Sequence, residues 1–229
     1  MSEYKLTSDY FEKGYFAPNV ESITFRLQAK ILKHEYNLPK ANITKLLDFG
    51  CGQGASTNFF ITQGYDAVGV DISNKDIKIA KNRFPSISDK FKVIDSLPHL
   101  NNYYGFKENI DVVYALQSLY YFTKKDFYIC LEKIHSSMKK GGLFFATFKT
   151  TNQYDYYDNS SPTDDPWLRE VKFNNGRINV HLKQFFIKSA EDMIERLSIY
   201  KPIHVGSYTM QLRNDESPGE HLTFFGIKE

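Results

Sequence analysis

Cysteine is scarce in this chain. Two residues, Cys51 and Cys130, among 229 exclude a disulfide framework and a cysteine-based zinc site, and both read as reduced thiols in packed positions. No metal is expected. Long hydrophobic runs are also missing: none approaches the roughly 20 apolar residues that span a bilayer. Residues Met1 to Tyr10 mix charges and hydroxyls without an apolar stretch, so neither a secretory signal nor a membrane partner is expected, and a cytoplasmic location follows. An excess of one charge sign is absent too. Lys and Arg number 29 against 27 Asp and Glu, a net charge of +2, which argues against a strong electrostatic footprint for nucleic acid. The pairs Lys124-Lys125 and Lys139-Lys140 fall at expected helix ends and read as solvated charge. There is no internal repeat and no low-complexity tract.

What the chain does have is aromatic residues, 16% of the total, and alternating strand and helix signals. A helix over about Val20 to Tyr36, capped by Asn19, carries Ile23, Leu27, Ile31 and Leu32 on one stripe. Strands are expected at Thr44 to Phe49, Ala67 to Val70, Phe91 to Ile94, Ile110 to Leu116 and Leu143 to Phe148. Helices are expected at Ala55 to Gln63, from Ser73 through Arg83, and at Lys124 to Met138. This alternation implies an α/β chain with a parallel sheet and right-handed crossovers. Residues 150–179 show no clear period and read as a long insertion over the sheet edge. Ser189 caps a helix through Leu197. Strand-like stretches at Ile203 to Leu212 and His221 to Ile227, with a turn between them, read as an antiparallel hairpin. The whole chain, 1–229, reads as one domain: a helical segment over 1–40, a core over 44–149, an insertion over 150–180, and closing strands and a helix over 181–229.

The sharpest local signal is Leu46-Leu47-Asp48-Phe49-Gly50-Cys51-Gly52-Gln53-Gly54. An apolar strand enters a turn with glycines at alternate positions, and a helix follows. Such a turn lets backbone approach a ligand closely, at a helix start that presents free N–H groups. The spacing of Gly50, Gly52 and Ala55 also satisfies a dinucleotide fingerprint. The acids change the balance. A carboxylate at Asp48 would repel a pyrophosphate and favour a ligand with an ammonium group. Asp71 ends the second strand, where an acid can accept two hydrogen bonds from ribose hydroxyls. Asp95 and Ser96 follow the third strand, where a polar group can meet an adenine amine.

These residues resemble the core of the class I S-adenosylmethionine-dependent methyltransferases. The Leu47 to Gly54 stretch is similar to their glycine-rich first motif, Gly69 to Ser73 to their ribose-binding strand end, and Ile94-Asp95-Ser96 to their adenine-side motif. Asp111 through Phe122 resembles their fourth-strand segment, and Lys139 to Gly142 the turn entering the fifth. Phe185-Phe186 through Leu197 is similar to their late strand and helix. The resemblance covers roughly 100 residues in family order. It implies a Rossmann-like, doubly wound, seven-stranded sheet, mostly parallel with an antiparallel last strand and an insertion after the fifth. It also implies S-adenosyl-L-methionine as cofactor, bound by Asp48, Gly50, Cys51, Gly52, Gly54, Asp71, Ile72, Asp95, Ser96, Ala115 and Leu116. Tyr10 and Tyr15 could close that site from the N-terminal segment, as in similar small-molecule enzymes.

The chain departs from the family pattern at Tyr120-Tyr121, where many relatives carry a His-His pair, and at Leu116, where they often carry Asn or Asp. A catalytic histidine at that position is excluded. The amino-methylating Asn/Asp-Pro-Pro-Tyr motif is absent. Acceptor-side candidates are then Tyr120, by its place after the fourth strand, and His181, the best general base by residue type. Lys149 could attract an anionic acceptor, and Trp167 and Arg169 could line a lid. His135 reads as structural. The expected partner is a small-molecule acceptor methylated at oxygen or nitrogen. A macromolecular (RNA or protein) acceptor, a nicotinamide-dependent oxidoreductase and a simple cofactor-binding module are the alternatives.

Overall fold

The computed structural model describes residues 4–6, 10, 19–40, 43–174, 176 and 179–229. Helix α1 (Ser22–Arg26) runs on into a π-helical turn, Leu27–Leu32. Then follow β1 (Lys45–Phe49), α2 (Ala55–Thr62), β2 (Asp66–Asp71), α3 (Asn74–Arg83), β3 (Phe91–Val93), β4 (Ile110–Ala115), α4 (Lys124–Ser137) and β5 (Met138–Lys149). The chain continues through α5 (Tyr154–Tyr157), β6 (Ser160–Pro162), β7 (Arg169–Asn174), β8 (Asn179–Gln184), α6 (Ala190–Arg196), β9 (Lys201–Tyr208) and β10 (His221–Ile227).

Seven strands form one sheet in the order β3-β2-β1-β4-β5-β10-β9. The pairs among the first five are parallel, and β10 lies antiparallel between β5 and β9. The strand order reverses between β1 and β4, which opens a crevice at their carboxyl ends. Successive side chains of a strand face opposite ways, so each strand feeds two layers. Leu47, Phe49, Val113, Phe144, Phe148 and Phe224 pack against α4 and α6, and Leu46, Tyr114, Phe145 and Phe225 pack against α1 and α2. The helix caps come from local hydroxyls. Ser73, Thr123 and Ser189 each accept a hydrogen bond from the backbone N–H three residues on, at Asp76, Asp126 and Asp192. Both cysteines are free and buried.

The structure differs from the sequence expectations in three places. Helix α1 begins at Ser22, with Glu21 at the cap position and no side-chain cap, so Asn19 does not cap it. Strand β5 begins at Met138, before Gly141-Gly142, because the chain pairs with β4 through a register shift rather than turning. Lys139 therefore sits on a strand, where it meets the Asp111 carboxylate. The insertion is also regular: it holds α5 and a three-stranded antiparallel sheet, β6-β7-β8. Its alternating burial over Asn179–Gln184 is the period-two signal that the flanking polar residues obscured.

Candidate active site

The glycine-rich turn is built from the end of β1 outward. Gly50, Gly52 and Gly54 all take positive φ, at 77°, 49° and 81°. Gly50 is required twice over. Its φ disfavours a side chain, and a Cβ there would lie 2.3 Å from that of Ser118, on the loop leaving β4. Gly52 is different: a Cβ added there meets nothing within 4 Å. Open space therefore lies over the turn at the point where its backbone is most approachable.

The acids surround this turn in distinct ways. Asp48 is buried beneath it at 2% exposure and accepts a hydrogen bond from Thr57 Oγ1 at 2.6 Å, tying β1 to α2. Burial, with the neighbouring charge of Asp71, pushes its carboxyl up to about 7 against the pull of Thr57. Asp71 braces the turn directly. Its Oδ2 accepts from Gly52 N–H and its Oδ1 from Ser73 N–H, both at 2.8 Å. Each oxygen keeps a lone pair for a further donor. Burial raises this carboxyl also. The Ile94 N–H donates to the Asp71 carbonyl at 2.9 Å, which sets Asp95 beside the β2 end. Asp95 is exposed, with its Oδ1 accepting from Leu97 N–H, and Ser96 is half-buried. Ile72 lies between Asp71 and the Ser73 cap. Cys51 packs with Ile77, Ala80 and Phe91 under the turn. Ala115 is fully buried, and Leu116 packs toward the α1 layer.

The loop after β4 leads to a second, differently charged region. Gln117 takes a positive φ of 51°. Its N–H donates to Thr147 Oγ1 and its side-chain amide to the Tyr208 hydroxyl. Tyr208, His221 and Lys149 are cross-strand neighbours at the ends of β9, β10 and β5. The His221 ring stacks on Tyr208 at 5.0 Å. Lys149 is 9% exposed and lies 4.1 Å from the Tyr156 ring centroid and 5.5 Å from that of Tyr120. Its amine donates to Gln184 Oε1 at 3.3 Å. Burial brings the amine down to about 7. Burial first, then the charge of Lys149, brings His221 down to about 4.

Of the acceptor-side candidates, Tyr120 and Lys149 meet in this region and His181 does not. His181 sits on the outward face of β8, where its Nε2 meets Glu170 Oε1 at 2.8 Å; Val180, Leu182 and Gln184 face inward. Trp167 fills the layer against Phe127 and Phe185, and Arg169 is held by Ser160 and Tyr157; both serve packing. Tyr10 packs with Val171, Val180 and Leu182 of the small sheet, and Tyr15 lies outside the described residues. His135 packs on Tyr200 at 5.3 Å. Sequence reasoning missed His221, Gln184, Gln153, Tyr156 and Tyr208. The one available signal was that β10 had to pair beside β5. Among the described residues no cluster of side chains could hold a metal ion, and no helix is long and apolar enough to cross a membrane.

Comparison with known proteins places this geometry. The family described as "Methyltransferase domain" matches residues 47–144, the span from β1 into β5. The ubiquinone biosynthesis O-methyltransferase of Pelagibacter ubique is 33% identical over 159 residues, which take in 64% of this chain and 62% of that protein. The match thus spans less than two thirds of that relative's length. Among solved structures, an S-adenosylmethionine-dependent methyltransferase of Methanosarcina mazei superposes with a TM-score of 0.67 at 14% identity, covering 92% of this chain and 98% of the other. The 1,6-didemethyltoxoflavin-N1-methyltransferase of Burkholderia thailandensis, solved with that small molecule and S-adenosylhomocysteine, gives 0.59 at 16% identity, covering 97% and 84%. The fold is that of the class I methyltransferases.

Proposed function

We propose that this chain, with the class I methyltransferase fold and a methyltransferase-domain match over residues 47–144, transfers the methyl group of S-adenosylmethionine to oxygen or nitrogen of a small molecule. The observation that carries this reading is the turn at Gly52, braced by Asp71 and open above. The cofactor fits the residues present. The free lone pairs of Asp71 suit ribose hydroxyls. Asp48 and Asp71, two acids beneath and beside one turn, favour a cationic nucleoside over a pyrophosphate. Asp95 and Ser96 stand at the neighbouring strand end for the base.

When bound, S-adenosylmethionine supplies a methyl group on a sulfonium centre. The chain's own work is then positioning and exclusion of water, which provide most of the acceleration in such a displacement. Ser118 and Gln117 link the glycine turn to the region around Lys149. That region is interior: Tyr120, Lys149, Gln153, Gln184 and His221 are all buried. Polar groups set this far inside suit a small acceptor better than a polymer, and a net charge of +2 gives little electrostatic pull toward nucleic acid. The Pelagibacter and Burkholderia proteins, one named for a ubiquinone precursor and one solved with a toxoflavin precursor, agree with an acceptor of that size.

Calorimetric titration with S-adenosylmethionine, S-adenosylhomocysteine and NAD tests the reading. Binding of the two adenosyl ligands and not of NAD is expected. The reverse pattern overturns it in favour of a nicotinamide enzyme.

A further inference from the structure

Lys149 is a buried amine without a counter-charge: among the described residues it has no carboxylate in salt-bridge reach. Glu220, next to His221 in sequence, turns instead to Thr150 and Asn152. The groups facing Lys149 are the rings of Tyr120 and Tyr156, the Gln184 amide and His221. Buried charges are normally paired, so an amine walled by rings and one amide carbonyl lacks an anionic partner. Three side-chain atoms of the residues around it have no hydrogen-bond partner among the described residues, Tyr120 Oη, Gln184 Nε2 and His221 Nε2, although all three residues are more than nine-tenths buried. Orphans gathered around one unpaired amine call for an explanation, and a polar ligand supplies one.

The state of His221 follows from its other nitrogen. Nδ1 lies 3.0 Å from the Gly219 carbonyl and 3.4 Å from the Gln153 amide nitrogen; the shorter contact, to an atom that can only accept, favours the proton on Nδ1 and a lone pair on Nε2. These buried groups thus offer one amine, one tyrosine hydroxyl, one amide N–H donor and one imidazole acceptor among aromatic rings. These complement a planar ring bearing a hydroxyl that can lose its proton: the amine and amide hold the oxygen.

Building on the methyltransferase reading above, we propose that Lys149 binds and deprotonates an acidic hydroxyl, of the phenol or enol class, on the acceptor, which makes the reaction an O-methylation. The O–H bond breaks and its proton goes to the Lys149 amine lone pair. The oxygen bonds the methyl carbon as the C–S bond of the sulfonium breaks, leaving its electron pair on sulfur. The proton then leaves Lys149 for solvent. An amine lowered to about 7 by burial is matched to this work near neutral pH. Gln184 and His221 are positioning residues that keep the amine and the oxygen in place.

The test uses the full chain saturated with S-adenosylhomocysteine and the probe 4-nitrophenol, with 4-nitroaniline as its control without a hydroxyl. At about pH 8 the nitrophenol is mostly an anion in solution, so its binding to the wild type should draw about one proton onto Lys149, read by calorimetry in two buffers of different ionisation heat. Nitroaniline should bind about tenfold more weakly. Lys149→Met should lose about tenfold in nitrophenol affinity. Lys149→Arg should retain that affinity but take up no proton, a distinction that a merely structural role would not produce. S-adenosylhomocysteine affinity should stay within about twofold in every variant, which reports folding and the cofactor reading separately. The proposal is overturned if the wild type fails to bind nitrophenol, prefers nitroaniline, takes up no proton, or is matched by Lys149→Met.

Discussion

The two halves of the sheet's carboxyl edge carry opposite chemistry. At the β1–β2 end, Asp48 and Asp71 place two carboxyls around one turn, and burial raises both. At the β5–β10 end, Lys149 and His221 place two bases side by side, and burial lowers both. The same physical cause, desolvation, drives each toward its neutral form. The acidic half is short of a cation and the basic half is short of an anion or a proton. A cationic methyl donor and an acidic hydroxyl acceptor answer those two needs. Gly50 against Ser118 is the seam between them.

That contrast can be broken at the seam or in either half. The largest effect is expected for Gly50→Val. It forces a branched side chain into a left-handed backbone and onto Ser118, so roughly 2–4 kcal/mol of stability should be lost, with S-adenosylhomocysteine binding abolished in calorimetry. Next comes Asp71→Ala, which removes charge-assisted hydrogen bonds of about 1.5–3 kcal/mol each and should weaken cofactor binding tenfold or more. Unchanged affinity would remove Asp71 from the ribose role.

Asp48→Asn sharpens the comparison because two readouts should move in opposite directions. A carboxyl raised in the folded state binds its proton more tightly there than in the unfolded chain. Its cost to ligand-free stability is therefore absent below the unfolded value, grows as pH rises through about 7, and is complete above it. At about pH 8 the variant should be more stable than the wild type by roughly 1–3 kcal/mol, seen in chemical denaturation, while its cofactor affinity falls. Wild-type affinity for the cationic cofactor should decline as pH drops below about 7, and this decline should vanish in the variant. The smallest effect is expected for His181→Ala. Its contact with Glu170 is solvent-facing, so stability should change by less than about 0.5 kcal/mol and affinity for S-adenosylhomocysteine and nitrophenol should stay unaltered.

The two halves also differ in how plainly they could be read from sequence. The acidic half is nearly continuous: strand, turn and helix lie within Leu46–Thr62, and Asp71 closes the next strand. Local patterns of glycine and apolar residues suffice there. The basic half gathers Gln117, Tyr120, Lys149, Gln184, Tyr208 and His221 from five separate segments, joined by cross-strand register and long-range side-chain contacts. His181 and His221 show the difficulty. Both open a strand-like stretch, but His181 alternates with Val180 and Leu182 and so faces outward. His221 leads Leu222-Thr223-Phe224-Phe225, where no alternation marks a face. Its direction is set by pairing with Lys149 on β5, which sequence spacing does not contain. The small sheet was hidden for a related reason: isolated strands of three to six residues give little periodicity to read.

The chain leaving that small sheet donates from Phe185 N–H to the Tyr120 carbonyl and from Ile187 N–H to the Lys149 carbonyl. The segment is thus stitched to the backbone of both residues. Lifting it pulls on Tyr120 and Lys149 together, so this side cannot open while those two residues stay in register.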